Sequence, residues 1–165
     1  MSHFKHCALA GGFAALLALG GPALAGPGEP GHTHGHSSFS AGEPGDAKRP
    51  ARVIPVTMKE TPDGKMLYFP NSIDVKKGEQ VRFVVTNAGE IPHEFVLAST
   101  ADNLKHAEVM KKFPEMEHDD PNSKTIQPKK KVEILWRFSK GGTFEFACLI
   151  PGHREAGMLG SVNVK

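Results

Sequence analysis

Cysteine is scarce in this chain, which has only two, Cys7 and Cys148, among its 165 residues. Cys7 lies in an N-terminal segment that we expect to be removed, so the mature chain keeps one thiol and can form no internal disulfide. One thiol also excludes an iron–sulfur cluster, which needs several cysteine ligands. In an exported protein, Cys148 is therefore buried and inert, paired with another chain, or bound to a metal ion as a thiolate.

The chain also lacks a strong net charge and a long apolar run. Its formal net charge is +2, which gives no indication of binding to nucleic acid or to an anionic membrane surface. The apolar stretch over residues 8–19 is interrupted by glycines and is shorter than the roughly 20 residues of a membrane span. Lys5 precedes this stretch and Ala23-Leu24-Ala25 follows it, which is the layout of a secretory signal. We therefore expect residues 1–25 to be a signal peptide cleaved after Ala25, and the mature chain to be exported without a membrane span.

Residues 26–50 are rich in Gly, Pro and Ser and have almost no apolar side chains. Such a composition cannot bury enough surface to offset its chain entropy, which predicts a disordered arm. His32, His34 and His36 are spaced two apart in this arm, and imidazoles on a flexible chain can capture Cu(II) in a labile way. A polar linker with incidental histidines, or a remnant of cloning, fits the same residues.

From residue 51 to residue 165, short runs of alternating apolar residues are separated by turn residues, which is the pattern of a single all-β domain. In the run over residues 80–87, for example, Val81, Phe83 and Val85 share one face. We predict strands at residues 52–58, 66–69, 72–75, 80–87, 93–97, 131–138, 143–148 and 161–164. Strands of this number and spacing are typical of a β-sandwich or a Greek-key barrel.

One segment departs from the β pattern. Residues 101–113 fit a short helix, with Thr100 as its N-cap and Pro114 directly after its end. The helix has a narrow apolar stripe formed by Leu104, Ala107, Met110 and Phe113. We therefore expect one short helical excursion from the β domain, followed by an acidic loop.

The most specific pattern in the chain is the spacing Cys148-x4-His153-x4-Met158 between the last two predicted strands. By strand alternation the Cys148 sulfur points inward, and the proline and glycines that follow allow the loop to curl around one point. A fourth ligand must come from elsewhere in the chain. His93 is the best candidate, because it starts another inward-facing row at a strand end.

One thiolate, two imidazoles and a thioether suit a copper ion that cycles between Cu(I) and Cu(II). In such a site the thiolate and the imidazoles hold the metal in a trigonal plane, and the methionine is a weak axial ligand. Zinc prefers four strong ligands and gains little from a thioether. Taken singly, a methionine or a histidine is more often a core residue than a ligand, but the combination indicates one mononuclear copper site.

Residues 51–165 resemble the cupredoxin family, the relatives of plastocyanin and azurin. The resemblance rests on Glu90-Ile-Pro-His93-Glu-Phe and on Thr143-Phe-Glu-Phe-Ala-Cys148-Leu-Ile-Pro-Gly-His153-Arg-Glu-Ala-Gly-Met158. It implies a Greek-key β-sandwich in which His93, Cys148 and His153 are the strong copper ligands and Met158 is the weak axial one. Many members have Asn directly after the first His, where this chain has Glu94.

The histidine-bearing arm, the helix with its acidic loop, and the Phe-Ala-Cys-Leu-Ile-Pro-Gly-His ending resemble the periplasmic copper-tolerance cupredoxins of the CopI type. This resemblance implies a periplasmic protein that binds and sequesters copper, with oxidation of Cu(I) as a further possibility. An electron-transfer shuttle between redox enzymes, with a redox partner protein, is the alternative. The pattern does not indicate a conventional enzyme, because a site with four protein ligands leaves no open position for a substrate.

A second group of soft donors lies in and after the predicted helix. His106 and Met110 are four residues apart and so share a helix face. With Met116 and His118 in the following loop they could bind Cu(I). The pattern favours a plainer interpretation, in which Met110 is a core residue and the other three are solvated.

Overall fold

The computed structural model describes residues 39–165, so the expected signal peptide and His32, His34 and His36 lie outside the described residues. The described backbone forms two β-sheets and one helix, α1 (Thr100–Met110). Its strands are β1 (Glu43–Pro44), β2 (Arg52–Glu60), β3 (Met66–Phe69), β4 (Ser72–Val75), β5 (Gln80–Asn87), β6 (His93–Ala98), β7 (Asp119–Asp120), β8 (Ser123–Ile126), β9 (Lys131–Arg137), β10 (Gly142–Ala147) and β11 (Leu159–Val164). Within this part of the chain, no helix has the length and apolar character needed to cross a membrane.

The two sheets have the strand orders β1-β9-β5-β2-β3 and β4-β11-β10-β6-β8-β7. The chain crosses between the sheets several times, so that strands adjacent in sequence often lie in opposite sheets. Two pairs are parallel, β2 with β5 and β4 with β11. This arrangement is a β-sandwich with Greek-key connections, and the predicted fold class is confirmed.

All eight predicted strands are present, with ends that differ from the prediction by at most two residues. Three further strands, β1, β7 and β8, have no counterpart in the sequence pattern. β1 and β7 contain two residues each, which is too short for an alternation to be recognised, and β8 has four residues of which only Ile126 is apolar. They form because a neighbouring strand offers free backbone hydrogen-bonding groups.

The core between the sheets is built from alternate residues of facing strands. Phe95 of β6 and Phe146 of β10 stack with ring centroids 5.2 Å apart. Phe83, from the opposite sheet, lies 5.4 Å from Phe95. Burial of each phenylalanine contributes roughly 1.5–3 kcal/mol to the free energy of unfolding. This aromatic group holds β6 against β10.

The pairing of β6 with β10 places two candidate ligands beside each other. His93 is the first residue of β6, and Cys148 directly follows the last residue of β10. The strands are antiparallel neighbours, with Ala147 opposite Val96. The start of β6 therefore lies beside the end of β10, at one end of the sandwich.

The helix differs from the prediction in its cap and in its apolar stripe. Ser99 is the N-cap in place of Thr100, because Ser99 has an extended backbone and Thr100 is already helical. The helix ends at Met110, which is fully buried, while Leu104 and Phe113 are 48% and 59% exposed. The helix therefore buries Asn103 in its first turn and Met110 at its end, and not the predicted apolar stripe.

The folded domain begins before residue 51, so the predicted disordered arm over residues 26–50 is wrong for its described part. Strand β1 pairs with β9, and Ala41 is fully buried. Phe39 meets the Trp136 ring edge to face with centroids 5.1 Å apart, and Trp136 Nε1 donates to the Ala41 carbonyl at 3.2 Å. Composition did not predict this packing, because the partners are distant residues, namely the Trp136 side chain and the backbone of β9.

Gly42 tests whether this N-terminal segment belongs to the fold. Its φ is +135°, and a Cβ at this position would lie 2.2 Å from the backbone oxygen of Arg137. We expect Gly42→Ala to lower the free energy of unfolding by about 1–3 kcal/mol, because the clash and the backbone strain both oppose the pairing of β1 with β9. Chemical denaturation measures this change. Gly141→Ala is the matched control, since its Cβ would have no contact closer than 3.7 Å, and equal stability of the two variants would contradict the prediction.

Candidate metal centre

Three side-chain donor atoms meet at the end of the sandwich where β6 begins and β10 ends. His93 Nδ1 is 3.2 Å from His153 Nδ1, and Cys148 Sγ is 3.3 Å from the same His153 nitrogen. All three donor atoms lie within 4.8 Å of one another. His93 and Cys148 are fully buried and His153 is half-buried. The structure therefore brings together three of the four residues that the sequence pattern selects.

His153 and Met158 belong to the loop that joins β10 to β11. Gly152 and Gly157 have φ values of +89° and +102°, a backbone conformation that glycine adopts most readily. The loop folds back so that Met158 N donates to the His153 carbonyl at 3.0 Å and Cys148 N donates to the Met158 carbonyl at 3.1 Å. Met158 is fully buried. Its backbone lies beside Cys148, and the role of its sulfur as fourth ligand stays a prediction.

A carboxylate that the sequence pattern does not indicate orients His93. Glu60, the last residue of β2, has Oε1 2.7 Å from His93 Nε2. The same carboxylate accepts the backbone N–H groups of Glu90 and Ile91. Partial burial acts in the opposite direction, but these hydrogen bonds together lower the pKa of Glu60 below its ordinary value. An ionised Glu60 accepts a hydrogen bond from the Nε2–H group of His93. The Nδ1 lone pair of His93 is then free for a metal ion.

The Cys148 thiol lies in an apolar environment that disfavours its ionised form. Burial raises the pKa of Cys148 to about 12, although the Glu94 backbone N–H donates to Sγ at 3.3 Å. Burial also lowers the pKa of His93 and of His153, which favours neutral imidazole rings. A metal ion that replaces the thiol proton supplies the positive charge that a buried thiolate requires.

Glu94 follows His93 directly and ties two ligand-bearing segments together. It is only 1% exposed, and its Oε2 accepts the Leu149 backbone N–H at 3.3 Å. Its backbone carbonyl accepts the hydroxyl proton of Tyr68. Burial raises the pKa of the Glu94 carboxyl to about 7. The sequence marks Glu94 only by its position after a ligand, and its contacts appear only in the fold.

Asn87, the last residue of β5, braces the turn that leads into His93. Its Nδ2 donates to the carbonyls of Ile91 at 2.8 Å and Ile126 at 2.9 Å, and its Oδ1 accepts the Gly89 N–H at 2.9 Å. Asn87 is fully buried, so these bonds replace the water contacts that its amide loses on folding. Asn87 therefore fixes the turn before His93.

The donor set fits copper. Two imidazole nitrogens and a thiolate, with a thioether in the same loop, match the preference of copper for mixed nitrogen and sulfur ligands. The 3.2 Å separation of the two histidine nitrogens also suits two ligands of one metal ion. Two nitrogens bonded at about 2.0 Å to one first-row ion lie roughly 3.3 Å apart at a tetrahedral angle.

Comparison with known proteins agrees with this chemistry. The profile of the copper binding proteins, plastocyanin/azurin family, matches residues 56–165. The chain belongs to this family. Copper is therefore the cofactor of this cupredoxin.

Individual relatives are similar to this chain over most of its length. The copper-resistant cuproprotein CopI of Rubrivivax gelatinosus is 45% identical over 144 residues, which cover 82% of this chain and 85% of the relative. The copper-resistant cuproprotein CopI of Vibrio cholerae is 37% identical over 123 residues, 74% of this chain and 71% of the relative. Among solved structures, the reduced auracyanin of Roseiflexus castenholzii superposes with a TM-score of 0.60 at 20% identity, covering 71% of this cupredoxin and 99% of the auracyanin. That likeness shows the fold.

Three of the four candidate accessory residues in and after α1 also come together. His106 Nε2 is 3.0 Å from His118 Nε2, which is 3.4 Å from Met110 Sδ. The expectation of solvated histidines is wrong for His118, which is only 8% exposed, and Met110 is fully buried. Met116 is 38% exposed, as the plainer interpretation expects.

Glu60 offers a test of how the centre is supported. We expect Glu60→Gln to weaken copper binding between about 10-fold and 100-fold, because the neutral amide no longer polarises the His93 ring. Titration against a competing copper chelator measures the affinity. Glu90→Gln is the matched control, since the Glu90 carboxylate pairs with Lys129 and not with a histidine. An unchanged affinity in Glu60→Gln would show that Glu60 does not support the metal ligand.

Proposed function

We propose that this cupredoxin is a periplasmic copper-tolerance protein that holds one copper ion through His93, Cys148, His153 and Met158. The observation that carries the proposal is the buried convergence of two imidazole nitrogens and a thiol sulfur within 4.8 Å of one another. It occurs in a chain 45% identical to a copper-resistant cuproprotein. The proposal includes export through the signal peptide expected at residues 1–25.

The protein prepares the site before the metal arrives. Glu60 fixes the His93 ring, Asn87 fixes the turn before His93, and Glu94 fixes the backbone after Cys148. When copper is bound, it supplies one-electron chemistry between Cu(I) and Cu(II). Ligands held by the fold cannot move far, so the site retains copper in either oxidation state without a large rearrangement. Such retention is what sequestration of a toxic, redox-active metal requires.

The relatives favour copper tolerance over electron transfer as the cellular role. Both CopI proteins are named for copper resistance, and the matched regions cover 85% and 71% of their own lengths. The domain described here therefore accounts for most of each relative. The histidines at positions 32, 34 and 36 add copper-binding capacity that a pure electron shuttle does not need, and their role stays part of the proposal.

One surface favours the alternative, an electron-transfer shuttle with a redox partner protein. Ile91 is 37% exposed, and Pro92 and Pro151 are exposed beside the half-buried His153 ring. Small apolar surfaces of this kind suit the weak contacts of redox partners. Leu149, which directly follows Cys148, is only 2% exposed and does not contribute to this surface.

Deletion of the gene and its complementation separate the two roles. Under copper stress we expect the deletion strain to grow poorly, wild-type protein to restore growth, and Cys148→Ser to fail, because Cys148 is the thiolate ligand. Cys148→Ser should also lose the intense visible absorption that a copper–thiolate bond produces. Loss of growth under ordinary respiratory conditions, with copper tolerance intact, would favour the electron shuttle. Cell fractionation and N-terminal sequencing check that the mature chain is periplasmic and starts at Gly26.

Met158→Leu tests the proposed axial ligand. A long bond to a thioether adds little to copper affinity, so we expect the variant to keep its copper and its visible colour while its reduction potential shifts. Spectroelectrochemical titration measures the potential. Met116→Leu, which changes an exposed methionine, is the matched control and should leave the potential unaltered. A Met158→Leu variant that holds no copper would show that Met158 is not a weak axial ligand.

A further inference from the structure

His153 is the most solvent-exposed of the three converging donors. His93 and Cys148 are fully buried, whereas His153 is half-buried and follows the exposed residues Pro151 and Gly152 in the β10–β11 loop. The buried donors are fixed by strands β6 and β10. The position of the His153 ring depends instead on what holds this loop against the sandwich.

The hydrogen bonds within the loop give it a shape but do not attach it to the strands. Ala156 N donates to the Gly152 carbonyl at 3.0 Å. Gly157 N donates to the Arg154 carbonyl, also at 3.0 Å. Two further contacts hold the middle of the loop against the sandwich. One is the backbone N–H of Met66 in β3, which donates to the Ala156 carbonyl at 3.1 Å, and the other is the side chain of Arg154.

Arg154 directly follows His153 and makes a two-point contact with a buried carboxylate. Its Nε donates to Glu145 Oε1 at 3.2 Å, and its Nη2 donates to Glu145 Oε2 at 2.9 Å. Glu145 is 6% exposed, and a bidentate pair on a buried carboxylate is stronger and more directional than an ordinary surface ion pair. Glu145 lies in β10, three residues before Cys148. One strand thus leads to the thiol and also anchors the loop that bears His153.

The Glu145 carboxylate is itself held by α1. Asn103, in the first turn of the helix, is fully buried. Its Nδ2 donates to Glu145 Oε1 at 3.1 Å and to the Glu145 carbonyl at 3.4 Å. Contacts from two sides therefore fix the carboxylate, and a fixed carboxylate can hold the Arg154 guanidinium in one position.

We propose that Arg154, held by Glu145, is a positioning residue for His153, which keeps the histidine ring against the Cys148 sulfur and slows the release of copper. The inference rests on the proposed function, because it takes His153 as a copper ligand. His153 Nδ1 lies 3.3 Å from Cys148 Sγ, in a loop whose two glycines allow its backbone other conformations. Residues that orient a metal ligand without touching the metal commonly change metal affinity by roughly 10-fold to 100-fold.

Release of copper from the loaded chain tests this role. The rate is measured by transfer of copper to an excess of a chromogenic chelator, for the wild type, Arg154→Met, Glu145→Gln and the double variant. We expect each single variant to release copper about 10-fold faster. The double variant should be no faster than the singles, because both changes break the same contact. Arg82→Met is the matched control, since Arg82 pairs with Glu133 across β5 and β9, and it should release copper at the wild-type rate.

The two single variants separate positioning from an effect of charge alone. Arg154→Met removes a positive charge and Glu145→Gln removes a negative one, so a purely electrostatic effect on copper retention would have opposite signs in the two variants. A positioning role predicts faster release in both. Arg154→Lys keeps the charge but cannot form the same two-point contact, so it should also release copper faster than the wild type.

Amide hydrogen exchange of the copper-free protein gives a readout that does not involve the metal. The N–H groups of Gly157 and Met158 are hydrogen-bonded within the loop. We expect both to exchange faster with solvent in Arg154→Met than in the wild type, because a loop without its anchor opens more often.

Circular dichroism checks that the variants are folded, and if Arg154→Met is not folded, Arg154→Lys decides the question. Wild-type rates of copper release in folded variants would overturn the inference, and so would opposite changes in Arg154→Met and Glu145→Gln. A lower free energy of unfolding with unaltered copper release would show that the pair only stabilises the fold. Failure of the proposed function has a different signature, in which the wild-type chain itself binds no copper at Cys148.

Discussion

Burial of the Cys148 sulfur is the constraint on which the rest of the candidate metal centre depends. An apolar interior raises the pKa of the thiol to about 12, so the sulfur becomes an anion only when a cation takes the place of its proton. A cation bound there would need further ligands nearby, and the donor nitrogens of His93 and His153 lie within 4.8 Å of the sulfur. Antiparallel pairing of β6 with β10 supplies the first of them, because it places His93 beside Cys148. The β10–β11 loop supplies His153 and brings the backbone of Met158 back to Cys148.

Three polar side chains position the candidate ligands of the metal centre. Asn87 and Glu94 are almost completely buried, and each hydrogen-bonds backbone close to a candidate ligand, Asn87 at Ile91 and Glu94 at Leu149. Glu60 comes from a strand of the opposite sheet and contacts the ring of His93 directly. Inside a protein, removal of one member of such a network leaves the other members unsatisfied. The network therefore both orients the ligands and penalises alternative arrangements of the loops. Glu94 also ties the His93 and Cys148 segments together through its contacts with Leu149 N and Cys148 Sγ.

Strand alternation places the helix α1 and the candidate copper centre on opposite faces of one sheet. Successive residues of β6 face opposite sides of the sheet, so His93 faces the copper centre and Glu94 faces α1. The backbone N–H of Glu94 contacts the Cys148 sulfur, and its carboxylate lies near His118. One residue thus connects the two groups of donors at this end of the sandwich. The helix places Met110 in the apolar cluster of Val96, Ala147 and Leu149, on the face of the sheet opposite to Cys148.

Residues close together in the sequence were sufficient to predict much of this protein. The alternation of Val81, Phe83 and Val85 predicts a strand, and eight predicted strands indicate a β-sandwich or a Greek-key barrel. The spacing of Cys148, His153 and Met158 within one loop predicts a metal centre, because a short loop keeps its ligands close in any fold. The local sequence also marks the start of the helix, where two hydroxyl residues are adjacent. The predicted N-cap, Thr100, is wrong, and the N-cap is Ser99.

The tertiary structure alone decided the contacts between distant segments. Glu60 meets His93 across 33 residues, and it does so because β2 lies parallel to β5 and ends near the turn before His93. Phe39 and Ala41 join the fold because Trp136 offers them a surface, which the composition of their own segment cannot reveal. His118 is buried beside His106 because β8 pairs with β6. Strand periodicity reports which residues face inward, but the free energy that selects partners comes from packing between segments, and that packing is decided by the whole chain.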